Sequence, residues 1–227
     1  MADALSRERL SKYLVRTGND ASRALALYEW NFGAAAALTA VLSAVEIALR
    51  NGIHRALTDA FRLTWHRVSR LRHFHGAVES ELVGAETRTR KPSPTLPDII
   101  AASNFNLWRE LLRPPYAGVF WARRLPIAFP NLTFRRHERL LLPPLHDRVE
   151  RLQDLRNRIA HHEPSLGSSW ERIDGKAAAR HTEAMELLHW MDADLARWME
   201  ARDSFAEVRE KCPEPVAPLP ITVRAKS

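Results

Sequence analysis

The chain has little of what many folds use as fastenings. Cys212 is the single cysteine among 227 residues, which excludes an internal disulfide and a cysteine-built zinc site. Glycine is scarce, at 8 residues, and no G-x-G-x-x-G or P-loop pattern occurs. The H-E-x-x-H and G-x-S-x-G patterns are missing too. No segment alternates apolar and polar residues in the manner of strands, and there is no internal repeat. No run of about 18 apolar residues is found, so no membrane span is expected. Asp3, Arg7, Glu8 and Arg9 lie where a signal peptide has its apolar core, and a cytoplasmic location is therefore expected. Acidic side chains are the minority, 27 against 34 Lys and Arg, for a net charge of +7. Such a balance favours a polyanionic partner, and RNA fits it.

What is present reads as all-α. The chain is predicted to form one helical domain over residues 1–211. A basic, proline-broken loop near 84–97 interrupts it, and a flexible proline-rich tail covers 212–227. Ser6 is a good N-cap for a helix to Arg16; Gly18 suits its C′ position and Asp20 the next N-cap. From Asp20 to about Leu63 one long helix is expected, kinked near Asn31-Phe32-Gly33. Its apolar stripe is Leu38, Val41, Leu42, Val45, Leu49 and Ile53. Val68, Leu71, Phe74 and Val78 continue at helical spacing from Trp65 to Leu82. His66, His73 and His75 in this stretch lack a third ligand at a helical offset. They are expected to be exposed or RNA-facing, and no metal or cofactor is predicted.

A helix from Pro97 to Arg113, stopped by Pro114-Pro115, and an aromatic-rich helix from Tyr116 to Arg124 come next. Phe105, Trp108, Phe120, Trp121 and Phe129 are read as core, not as a base-stacking platform. Pro143-Pro144 is expected to start the next helix, because proline is tolerated in a first turn, and Pro164 to end it. Ser168 or Ser169 would cap a last long helix to about Arg202, carrying Leu187, Leu188, Met191, Leu195 and Trp198; Ser204 to Lys211 would extend it.

The helix ending at Pro164 carries Leu155-Arg156-Asn157-Arg158-Ile159-Ala160-His161-His162-Glu163-Pro164. At about 100° per residue, Leu145, Val149, Leu152, Leu155 and Ile159 make one apolar stripe, and Arg156 falls inside it. A guanidinium there needs a carboxylate, phosphate or carbonyls. Glu46 on the long helix is the candidate carboxylate, with Arg50 or Asn51 lining the same pocket; alternatively Glu46 and Arg50 form an intrahelical pair. Asn157 and His161 share a polar face. In a regular helix Arg156 and His161 point about 140° apart. They could serve one site if Pro164 loosens the last turn, or if a second subunit completes it. His162 is an alternative proton-transfer residue, or a helix C-terminal cation balancing the dipole. Glu163 is read as a partner for a histidine or as the helix end. Arg158 is an RNA contact or a partner of Asp154.

The spacing Arg156-Asn157-x-x-x-His161 resembles the R-x4-6-H signature of the HEPN superfamily of helical ribonucleases. The ten-residue string looks like its Abi-like (abortive infection) bacterial branch. Leu27-Tyr28-Glu29-Trp30-Asn31, Leu42 to Asn51, Asn104 to Trp108 with Leu111-Leu112, and Ala128-Phe129-Pro130 are similar to Abi-like proteins in the same order. The likeness runs from about Leu5 to about Trp198. It implies an HEPN-like helical bundle with additional helices and a metal-independent endoribonuclease acting in anti-phage abortive infection or as a toxin. Arg156 and His161 would be its catalytic pair, with Asn157 orienting the histidine or the scissile phosphate. It further implies a homodimer that brings two motifs around one phosphate, and an antitoxin protein or RNA as a possible partner. A tyrosine two residues after the histidine, an antitoxin's modification site in one variant of the superfamily, is Glu163 here. The other reading is a non-catalytic HEPN-fold module that binds RNA or protein, with Arg156 and Glu46 as a structural buried pair.

Overall fold

A computed structural model describes residues 5, 7–68, 74, 76–133, 138–163 and 173–213. Among these the secondary structure is helical and no strand occurs. The α-helices are α1 (Arg7–Arg16), α2 (Ala21–Phe61), α3 (Trp65–Val68), α4 (Gly76–Arg88), α5 (Leu96–Ala102), α6 (Phe105–Glu110), α7 (Leu125–Ala128), α8 (Glu138–Ala160), α9 (Ile173–Met191), α10 (Ala193–Glu200) and α11 (Phe205–Glu210).

The molecule is arranged around α2. Its start follows from its sequence: the Asp20 carboxylate accepts from the Ser22 and Arg23 amides, which satisfies two of the donors a helix leaves open. The turn before it uses Gly18 at φ +64° and Asn19 at φ +65°. There the Asn19 amide donates to the Leu14 carbonyl at 2.8 Å, as a glycine-ended helix requires. Ser6, the expected cap of α1, lies outside the described residues. The predicted stripe of α2 is buried throughout: Leu38, Val41, Leu42, Val45, Leu49 and Ile53 are almost without solvent contact. The helix runs on unbroken through Asn31-Phe32-Gly33. Gly33 lets α11 come close, with Val208 Cγ1 3.4 Å from where a Cβ would stand. The Trp30 indole N–H then donates to the Val208 carbonyl at 2.8 Å.

α1, α7, α8, α9 and α11 pack around α2, and one hydrophobic core takes side chains from Tyr13 in α1 to Phe205 in α11. The helix is apolar enough that, by length and composition, it would cross a membrane: an 18-residue window between Ala21 and Arg67 has a mean hydropathy of 1.9. The expectation of no span rested on consecutive apolar residues, which Thr39, Ser43 and Glu46 interrupt. In this fold the helix is the centre of a bundle.

Several boundaries differ from the expected ones. The basic loop is shorter than 84–97, because α4 continues to Arg88 and Thr95 caps α5 with a reciprocal bond to Asp98. The expected helix from Pro97 to Arg113 breaks at Ser103-Asn104, where the backbone is extended. Two side-chain amides explain the break: Asn104 and Asn106 donate to the two oxygens of Glu81 on α4, at 3.1 and 2.7 Å. The Tyr116–Arg124 helix is a 3₁₀ turn followed by a π turn, Ala117–Trp121. Its irregular backbone is held by buried aromatics. Trp108 donates to Ser103 Oγ at 3.0 Å and Trp121 to the Leu111 carbonyl at 2.7 Å. Phe105, Trp108, Phe120, Trp121 and Phe129 are all buried, as expected of core.

The helix expected over Trp65 to Leu82 is α3 and α4, separated by a segment in which Phe74 lies in a bend; Leu71 lies outside the described residues. His66 is buried against Trp65 instead of exposed; His73 and His75 lie outside the described residues. α8 begins at Glu138, so Pro143 and Pro144 are inside it, not at its start. The last long helix is three helices. Asp192 ends α9 and caps α10 by accepting from the Asp194 and Leu195 amides. Trp198 faces outward under the Arg202 guanidinium, 4.4 Å from its ring, not inward. Ser168, Ser169 and residues 214–227 lie outside the described residues, and Cys212, where a tail was expected to begin, still packs on the core.

Gly52 is a tight point of the core. A Cβ there would stand 3.1 Å from the Ala128 carbonyl oxygen and 3.3 Å from its Cα. Both are backbone atoms that cannot swing away. Gly52→Val is expected to destabilise the protein by about 2 kcal/mol or more through overpacking. In a thermal melt this is a drop of roughly 4–8 °C for a chain of this size; an unchanged midpoint would show that α7 gives way.

Candidate functional site

The site is built on α8, whose apolar line packs on α2, α6, α9 and the π turn Ala117–Trp121. Leu145, Val149, Leu152 and Leu155 are buried, and Ile159 packs on the same core at its edge. Thr39 shares a cavity with Ile159 and His162, while Glu46 meets Arg156. Residue numbers rise along α2 as they fall along α8, so the two helices run antiparallel.

Arg156 is not on the buried face. Its side chain is 47% exposed, and Glu46 is 22% exposed. The two still meet, Arg156 Nε to Glu46 Oε2 at 3.7 Å, and Arg156 Nη1 donates to Asn157 Oδ1 at 3.3 Å. The predicted Glu46–Arg156 contact is therefore formed, but at the surface. Arg156 lies at the edge of the stripe, where it reaches water. A pair this exposed adds at most about 1 kcal/mol to stability. The intrahelical Glu46–Arg50 pair is absent, since Glu46 turns to Arg156. Arg50 Nε is shielded from water without an acceptor. Asn51 is exposed and joins neither contact.

The end of α8 explains the histidines. His161 is the last residue with an i→i−4 bond, its amide donating to the Asn157 carbonyl at 2.9 Å. His162 then turns to φ +54°. The His162 amide donates to Ile159 and the Glu163 amide to Arg158, both at 2.9 Å. These two bonds define a Schellman cap with His162 in the position glycine usually takes. The last turn is thus regular up to its cap, and the loosening that would have swung His161 towards Arg156 does not occur; Pro164 lies outside the described residues. His161 is exposed, and its ring makes no hydrogen bond among the described residues. Asn157 therefore holds Arg156 with its side chain, while only its backbone carbonyl serves His161. Arg158 pairs with Glu163, 3.7 Å apart, instead of with Asp154. Glu163 accordingly engages an arginine at the helix end rather than a histidine.

A cavity of about 260 Å³ opens beside this cap. It is bounded by Arg9, Tyr28, Asn31, Phe32, Ala35, Ala36 and Thr39 on one side and Ile159, His162 and Glu163 on the other. Arg9 Nη1 donates to the His162 carbonyl at 3.3 Å, tying α1 to the cap. Sequence reasoning assigned no site role to Arg9, Asn31 or Phe32. The only trace was the Leu27–Asn31 block, whose helical spacing does not reveal what it will face.

A second group bears on metals. His146, Asp147 and Glu150, earlier on α8, each bring a ligand atom within 4.8 Å of the others. Glu150 is also approached by Arg109 at 3.6 Å, which offsets its charge, and these residues stand apart from the Arg156 contacts. No family model matches the chain, and neither the curated proteins nor the solved structures give a match.

A non-glycine residue in the left-handed region costs roughly 1–2 kcal/mol. His162→Gly is expected to raise stability by about 1 kcal/mol, seen as a thermal midpoint a few degrees higher. A lower midpoint would mean that the His162 side chain makes contacts worth more than the strain it carries.

Proposed function

We propose that the protein is an endoribonuclease of the HEPN type, resembling the Abi-like branch, in which Arg156 and His161 act on the RNA backbone. The observation that carries this reading is exposure. Arg156, Asn157 and His161 stand at the solvent-facing end of α8, with the guanidinium steadied by Glu46 and Asn157. A buried structural pair, the basis of the non-catalytic reading, would have been sealed by α2.

Hydrolysis-free cleavage of RNA needs a base for the ribose 2′-hydroxyl, positive charge for the pentavalent phosphorus transition state, and an acid for the departing 5′ oxygen. Arginine supplies a permanent charge and a fork that fits phosphate oxygens. Histidine moves protons near neutral pH. The 2′ oxygen attacks the adjacent phosphorus, the P–O5′ bond breaks, and the products carry a 2′,3′-cyclic phosphate and a 5′-hydroxyl. No metal or cofactor enters this scheme. Asn157 positions Arg156, and Arg158 offers a further cation to the RNA strand.

A regular helix points Arg156 and His161 about 140° apart, so one chain presents half of such a site. A two-fold dimer would set His161 of one chain near Arg156 of the other. Ile47, beside Glu46 and 48% exposed, is an apolar side chain suited to that contact. An abortive-infection or toxin role, in the cytoplasm and with an antitoxin as counterpart, follows from the resemblance alone.

The test is cleavage of total bacterial RNA in excess EDTA. Wild type should cut, and Arg156→Ala and His161→Ala should each lose about 10²–10³-fold or more in rate with unchanged melting. Bound but uncut RNA with all three proteins would favour the binding module. Separately, Ile47→Glu should convert a dimer to a monomer in light scattering and lower cleavage at least tenfold; full activity in a monomer would remove the shared-site arrangement.

A further inference from the structure

We propose that the cavity beside the α8 cap receives one unstacked nucleobase of the RNA strand and sets which base stands next to the cleaved phosphate. This rests on the ribonuclease reading for its purpose, but its evidence is separate. At about 260 Å³ the cavity is smaller than the roughly 300–1,000 Å³ of pockets that hold drug-sized ligands, a size for one ring system.

Its walls have the chemistry that single-stranded bases meet. Phe32 lines the cavity and is 66% exposed, so its ring is accessible to a base. Tyr28 lies behind it, its ring held edge-on by Tyr13 at 5.4 Å between centroids. Aromatic faces of this kind stack bases. Asn31, 7% exposed, adds a polar residue to the wall. Ala35 and Ala36 leave the floor free of side chains that would fill the slot. At the rim, Arg9 bonds the His162 carbonyl, close to where a base in the slot would carry its phosphate. His161 is the neighbouring residue in the chain, one peptide from the His162 that lines the slot.

Two variants test this without touching Arg156 or His161. Ala36→Trp fills the slot from an exposed helix position, and Phe32→Ala removes the stacking face. Both are checked for unchanged melting and unchanged mass in solution. The first measurement maps cut sites in an RNA pool carrying a randomised single-stranded segment. Wild type should prefer one base at a position flanking the cut, and both variants should flatten that preference at least fivefold. The second uses no cleavage: each of the four nucleoside 5′-monophosphates is titrated and followed by ligand-observed NMR. Saturable binding should appear with wild type and with Arg156→Ala, weaken about tenfold in Phe32→Ala, the size of one lost stacking contact, and be abolished in Ala36→Trp.

Cleavage with an unaltered pattern in both variants would overturn the base slot and leave the ribonuclease standing. Mononucleotide binding that Ala36→Trp abolishes, in a protein that cuts nothing, would support the slot and overturn the ribonuclease. Neither binding nor cutting would overturn both.

Discussion

A helix of 41 residues is not held by its own hydrogen bonds; tertiary packing along an apolar face supplies most of its stability. In this protein that packing comes from helices drawn from both ends and the middle of the chain. With no sheet among the described residues to serve as a platform, α1, α7, α8, α9 and α11 all find their cover on α2. The contacts are close because small residues line parts of the helix. Ala34, Ala37 and Gly52 are buried, and at Gly33 and Gly52 another segment approaches within van der Waals range of a missing Cβ. One face of α2 is left over, and on it stand Phe32 and Ile47. The functional reading concerns that face.

The middle of the chain shows how a proline-rich stretch can be ordered without regular helix. Between Ser103 and Phe129 short α, 3₁₀ and π turns succeed one another, yet the backbone is fixed. The large rings do this in two ways. They bury apolar area together, with Phe120 and Trp121 centroids 4.6 Å apart and Tyr116 and Phe74 close by. Their polar atoms then tie down particular carbonyls and hydroxyls, as buried indoles require. The C-terminal segment is fastened more electrostatically. Burial pushes the Asp203 carboxyl up, but the His181 hydrogen bond at 2.6 Å and the Phe205 amide outweigh it and hold it below the usual range.

At the end of α8 two economies of structure meet. The backbone is completed by a Schellman cap whose left-handed residue is a histidine, although glycine would sit there without strain. Strain of this sort is found where a side chain or a neighbouring geometry is needed. The cap also aims the His162 carbonyl at Arg9 and opens the cavity beside it. Arg156, nearly two turns back, is left with a charge only partly offset by a carboxylate 3.7 Å away, so a phosphate could still approach it.

Local chemistry was legible without a fold. Asp20 and Gly18 declared a cap and a stop, the stripe of α2 declared a buried face, and five aromatics declared a core, because each depends on spacing within a few residues. The Glu46–Arg156 contact was one of two readings of Glu46, anticipated as a buried pair and found at the surface. What remained hidden depends on which neighbour covers which side. Arg156 looked buried because a helix wheel shows the width of a stripe but not how much of it α2 will cover. The break at Ser103-Asn104 was invisible because Glu81, which holds it, is over twenty residues away. His66 was placed outside because nothing local reveals that Trp65 and the bundle close over it. The cavity joins α1, α2 and the end of α8, three segments whose meeting is set by packing. The sequence by itself thus determined helices, caps and core. The tertiary structure alone decided exposure, since exposure belongs to pairs of surfaces and not to a single stretch of chain.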